Sequence, residues 1–218
     1  MKLPSKLMTT LLPLPAVFAT EACGGSVMAT EGNIVFTDDN GVARHLTTSG
    51  LDSAPTLSPD GRRVAFVRRV PDRTVDTALG SECADQIWVI GADASGARRL
   101  VEGWDHMDPK RALAGLRSPS FSPDGRSIYF LSTAWATSQA VHVVSLDDGR
   151  EHFVTDGNTL EVVYAGKYKG TLVVNKHKYW LGGGSYDWFW LVSPTGREIG
   201  AVGPEDGSVK TFKSLFEK

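Results

Sequence analysis

The phrase Pro-x-x-Ser-Pro-Asp-Gly occurs twice, from Pro55 to Gly61 and from Pro119 to Gly125, and each copy leads into a short apolar run. Aligned from Ser53 and Arg117, seven of fifteen columns are identical. An internal repeat constrains a chain more than any single residue, because each copy builds one unit and stacked units share a core. Pro59 and Pro123 preset φ at the second turn position, and Gly61 and Gly125 supply the left-handed residue that follows. These conspicuous residues are therefore expected to form turns, not to catalyse. The runs after them, Val64-Ala65-Phe66-Val67 and Ile128-Tyr129-Phe130-Leu131, are apolar at every position. Strands of that kind are buried on both faces, whereas a one-sided sandwich alternates.

A second hairpin recurs four times. It runs from Asn33 to Leu46 around Gly41, Gln86 to Leu100 around Gly96, Val141 to Val154 around Gly149, and Asp187 to Val202 around Gly196. Each turn holds an Asp, Asn or Ser that bonds back to the local backbone, and Gly takes the positive φ that closes it. With the first hairpin labelled a-b and the second c-d, the order is c-d, then three times a-b-c-d, then a tail. The third a-b pair is degenerate, with Thr159 to Tyr164 and Thr171 to Asn175 joined by a loose turn through Gly166 and Gly170. Four-stranded units of this kind are propeller blades. The expected fold is all-β: a small β-propeller of about four blades, three full blades plus an N-terminal c-d hairpin closed by the C-terminal tail from Ser208. An open arc, or completion by a second copy, is the alternative. Lys210 to Phe216 reads as a short helix or a final strand.

Residues 1–22 read as an export signal: Lys2 and Lys6, an apolar stretch broken by Pro13 and Pro15, then small residues. Residues 23–218 then form the propeller domain, with Cys23 and Cys83 as either a disulfide or, for Cys23, a lipidated first residue. No membrane-spanning segment is expected. The net charge of −2 is spread evenly, which speaks against a nucleic-acid surface. The pairs Arg62-Arg63, Arg68-Arg69 and Arg98-Arg99 are expected to be solvated strand ends.

The repeated phrase, followed by a Phe-containing strand, resembles the PD40, or WD40-like, repeat of the TolB family. The matching residues are Pro55, Ser58, Pro59, Asp60, Gly61 and Phe66, then Pro119, Ser122, Pro123, Asp124, Gly125 and Phe130. Similar repeats occur in the propellers of prolyl oligopeptidases and oligogalacturonate lyases. The resemblance implies a secreted β-propeller that binds something, often another protein of the cell envelope. TolB also carries an N-terminal α/β domain and six blades, which do not fit within 218 residues.

In a blade, the a-b and c-d turns lie on one face, and the b-c and d-a connections on the other. The long stretches 69–84, 101–116, 132–139 and 176–186 all fall on the second face, where binding loops belong. They carry Trp104, Asp105, His106, Arg111, Trp135, Tyr179, Trp180 and Tyr186, the residue types of interface hot spots. Trp88, Trp188 and Trp190 lie within strands and are expected in the core. There is no Gly-x-Ser-x-Gly elbow, no phosphate loop and no paired histidines at metal-ligand spacing. The expectation is a non-enzymatic propeller without cofactor or metal, periplasmic or secreted, that binds a protein partner in the periplasm or envelope, as an inhibitor or immunity protein in its sharper form. Self-association and a carbohydrate-active or hydrolytic site at the central channel are the competing expectations.

Overall fold

Four antiparallel sheets follow one another along residues 24–218, the part of the chain that the computed structural model describes. The expected export signal and Cys23 lie outside the described residues. The first sheet holds β1 (Gly25–Thr30), β2 (Asn33–Asp38) and β3 (Ala43–His45). The second runs through β4 (Asp52–Leu57) and β5 (Arg63–Arg68), leaves for a hairpin of β6 (Thr74–Thr77) and β7 (Gly80–Cys83), and returns with β8 (Gln86–Gly91) and β9 (Arg98–Glu102). The third contains β10 (Arg117–Phe121), β11 (Ser127–Thr133), β12 (Gln139–Ser145) and β13 (Glu151–Asp156). The fourth contains β14 (Thr159–Val162), β15 (Leu172–Tyr179), β16 (Ser185–Val192) and β17 (Glu198–Gly203). Each full sheet is a meander in chain order, the a-b-c-d blade of the sequence reading. The β10 strand approaches both β4 and β14, which puts strand a innermost and strand d at the outer edge.

The Ser-Pro-Asp-Gly turns are built alike. Ser58 and Ser122 each accept a hydrogen bond on Oγ from the backbone five residues on, at 2.9 and 3.0 Å, and donate to Asp60 and Asp124 at 2.5 and 2.6 Å. Gly61 and Gly125 take φ +69° and +67°, where a Cβ is costly. The likeness runs further back than the phrase. Ala54 and Ser118, at matching positions, both adopt positive φ where strand a shifts register against strand b.

The doubly apolar strands divide their faces as expected. Val64 and Phe66 pack with Ile34, Phe36 and Leu46 of the first sheet, while Ala65 and Val67 join the third sheet's Ile128 and Phe130. Tyr129 and Leu131, on the opposite face, pack against Leu160, Leu172 and Val174 of the fourth. Each fully buried Phe among these contributes about 1.5–3 kcal/mol of transfer free energy before conformational entropy is counted. Arg44 donates to the Ala92 carbonyl at 3.1 Å, Arg63 to that of Gly125 at 2.9 Å, and Arg98 to that of Leu146 at 2.7 Å, each across a blade junction. Arg68 binds Asp52 through both Nε and Nη2, at 2.6 and 2.9 Å, and lies 4.6 Å from the Trp88 ring. Arg63 and Arg68 are therefore not the solvated strand ends expected, because a carbonyl of the next blade and a carboxylate on the neighbouring strand lie within their reach, while Arg98 stays exposed.

Three expectations are corrected. The N-terminal unit is b-c-d, not c-d, because β1 pairs with β2 over six residues. The tail does not close a ring: Asp206–Phe216 forms helix α1. Its spacing puts Val209, Phe212 and Phe216 on one side, and they pack on Val173, Phe189 and Leu191 of the fourth sheet and on Val163 and Tyr168 of its β14–β15 connection. Apolar clusters join sheets one to two, two to three and three to four, then the fourth to α1, so the blades form an open arc with a helix over its last face. Finally, 176–186 is not a loop: β15 and β16 continue to Tyr179 and Ser185, leaving only a five-residue tip.

Candidate functional site

The b-c and d-a connections gather on one face, as the meander requires, and the aromatic residues of interest are carried there by three segments. The first is residues 103–116. Trp104 and Leu113 exchange backbone hydrogen bonds at 2.9 and 3.0 Å, pinching the segment at its base. The Trp104 ring tilts over His106 at 5.4 Å and stays 42% exposed. His106 Nδ1 accepts the Asp108 amide at 2.9 Å, so this ring helps to shape its own loop. Asp105 and Arg111 are exposed.

The second segment is the b-c turn of the third blade. Trp135 donates its amide to the Ser138 carbonyl at 2.8 Å, and its half-buried ring meets Phe153 edge-on at 6.2 Å. The third is the tip of the β15–β16 hairpin, closed by the Trp180 amide on the Gly184 carbonyl at 3.0 Å. There Trp180 and Tyr186 stack at 4.3 Å, and Tyr186 meets Trp188 edge-on at 6.1 Å. Tyr179 and Trp180 remain 67% and 58% exposed, and Leu181 is fully exposed. The Tyr179 hydroxyl lies 3.4 Å from Thr137 Oγ1, so the second and third segments touch. Trp104 meets none of the other predicted aromatics. Of the three expected in the core, Trp88 and Trp190 are half-buried and pack against core clusters, while Trp188 is half-buried beside Tyr186.

Below the contact of the second and third segments, a cleft of ≈ 500 Å³ opens on the seam between β13 and the fourth blade. Its lining includes Lys110, Trp135, Thr137, Phe153, Asp156 and Lys176. Lys176 is only 4% exposed. Its ammonium donates to Thr155 Oγ1 at 2.9 Å and lies 3.0 Å from Asp156 and 2.7 Å from Glu198. Lys178 Nζ also reaches Glu198, at 2.6 Å, and lies 4.7 Å from the Trp190 ring. Burial pushes the Glu198 carboxyl up, but hydrogen bonds from Lys176 and Lys178 outweigh it and hold the group below its usual range. Sequence reasoning missed Lys110, Phe153, Asp156 and Lys176 as site residues. A signal existed: Val174, Lys176 and Lys178 alternate, as the same face of one strand must.

Nearer the axis, Arg117 donates to Gln139 Oε1 at 2.8 Å and to the Gly115 carbonyl at 2.9 Å. Burial raises the Asp85 carboxyl above its ordinary range, against the pull of the Val70 amide and Arg69, and Asp85 Oδ1 has no hydrogen-bond partner. Among the described residues no three His, Cys, Asp or Glu side chains gather as metal ligands, and no helix is long and apolar enough to cross a membrane. Cys83 is a free thiol among the described residues, while Cys23, its expected disulfide partner, lies outside them.

The stacked meanders define a β-propeller architecture, and comparison with solved structures agrees. TolB from Acinetobacter baumannii is 17% identical with a TM-score of 0.52, over 79% of this chain and 38% of that one. The β-propeller domain of the Trilobed protease from Pyrococcus furiosus is 14% identical with a TM-score of 0.52, over 77% and 47%. An oligogalacturonate lyase in complex with manganese is 15% identical with a TM-score of 0.53, over 80% and 42%. At these identities the likeness is one of fold, and the alignments cover less than half of each of those structures. No family model matches the sequence, and no curated protein matches it.

Proposed function

We propose that this chain is a non-enzymatic binding propeller, exported to the periplasm or envelope, that docks a protein partner on its loop face. A role as inhibitor or immunity protein is its sharper form. The observation that carries the reading is the hairpin tip: Tyr179, Trp180 and Leu181 stand in solvent beside the polar Thr137 turn. Large aromatics on a rigid hairpin give contact area at small entropic cost, which is how binding hot spots are made.

The test separates docking from folding. Because Trp180 and Trp104 are so exposed, Trp180→Ala and Trp104→Ala should move Tm by no more than ~2 °C while weakening partner capture from envelope extract by about tenfold or more. Calorimetry and quantitative pull-down check both halves. Variants that unfold, or that capture the partner unchanged, would overturn the reading.

Asp85 favours the competing catalytic reading, since a half-buried carboxyl with a raised pKa and an unpartnered Oδ1 suits an acid catalyst. Turnover of glycan or peptide substrates that Asp85→Asn abolishes would replace the docking reading.

A further inference from the structure

The cleft on the seam of blades three and four has an uneven charge balance. Lys176 and Lys178 are matched by Asp156 and Glu198, two cations against two carboxylates. Lys110 is left over. It makes no ion pair among the described residues, and its ammonium stands 5.5 Å from the centre of the Phe153 ring. A cation over a ring at an exposed site gains only a weak attraction, enough to place the ammonium but not to neutralise it. Trp135 and Phe153 form an aromatic wall beside it, and Thr137 and Ser138 add hydroxyl donors.

We infer that this cleft receives an acidic side chain on an extended segment of the protein partner, with Lys110 as its counter-ion and the Trp135–Phe153 wall covering its stem. The inference rests on the docking reading above and names the chemistry of the partner's contact. A carboxylate entering here meets an unmatched cation, an attraction that salt screens because Lys110 is exposed. A basic side chain meets Lys110 and finds Asp156 already engaged by Lys176. The cleft, at ≈ 500 Å³, accommodates a side chain or two and their backbone.

The test needs no identified partner. The peptide Ac-Gly-Glu-Tyr-Glu-Gly-amide, its Gln-for-Glu counterpart and free glutarate are titrated into the ¹⁵N-labelled protein. The Trp135 indole resonance, assigned with Trp135→Phe, is followed. The Glu peptide should shift it, with Kd at least about tenfold lower than for the Gln peptide. Lys110→Glu should remove the shift, Lys110→Arg should retain it, and raised salt should weaken it. Equal affinity for the Gln peptide, an unchanged response in Lys110→Glu, or glutarate binding as tightly as the peptide would each overturn the inference. Those failures leave partner capture by the Trp180→Ala variant untouched, so they are distinguishable from failure of the docking reading itself.

Discussion

Arg68→Met should cost the fold about 3 kcal/mol at neutral pH, the low end of the range for breaking a buried ion pair, because the Arg68 side chain is 25% exposed. The Asp52 side chain is wholly buried, so the variant strands a carboxylate that water cannot reach. Asp52→Asn, which removes the charge, should cost less. In the native protein, burial pushes the Asp52 carboxyl up, but hydrogen bonds from Arg68, Thr47 and Ser49 overcome it and bring the group below its ordinary value. An unfolded Asp ionises near ~3.9, so this contribution to stability is complete above that pH and fades as pH falls through the lower folded value. Without Arg68, only the hydrogen bonds from Thr47 and Ser49 oppose burial, so the ionised Asp52 contributes less stability above its ordinary pKa. The Tm gap between native protein and Arg68→Met should therefore be widest near neutrality and shrink toward ~pH 3. A gap independent of pH would mean that Arg68 acts through its packing on Trp88 alone.

Gly196→Ala should be nearly as damaging, by about 3 kcal/mol, which in a domain of this size lowers Tm by roughly 6–12 °C. A Cβ at Gly196 would stand 2.0 Å from the Val154 carbonyl oxygen of the neighbouring blade, and φ there is +84°. Gly149 offers the control, because it closes the matching turn of the third blade at φ +71° with nothing within 4 Å. Gly149→Ala should carry only the backbone cost, about 1–2 kcal/mol. Denaturant melts of the two variants separate turn geometry from the blade-to-blade approach, and equal losses would show that Gly196 serves its own hairpin only.

What the sequence disclosed was local chemistry. Ser58 with Asp60, and Ser122 with Asp124, act within a few residues, so the turn is readable from its letters. Strand b was equally plain, because an unbroken apolar run has no alternative to double burial. Pairings between strands were hidden. Arg68 finds Asp52 across sixteen residues, and only the register of β4 on β5 brings them together. The Arg98 contact with Leu146 spans forty-eight residues and depends on how one blade sits against the next. The tail held a helical signal in Val209, Phe212 and Phe216, but a segment of eleven residues is too short to decide without the sheet it packs on. Of the loop face, the exposed aromatics were legible and the seam cleft was not, since its lining comes from two blades and a connecting loop.

With α1 seated over the last sheet, the two ends of the arc are unlike. Endless head-to-tail polymers require two different, mutually complementary surfaces, and the helix withdraws one of them. A contact that uses the same face of the first sheet in two copies is isologous and closes on itself about a two-fold axis. A short amphipathic helix thus holds the place of a chain terminator in the polymer chemist's sense: it covers the face of the fourth sheet on which a further blade would stack.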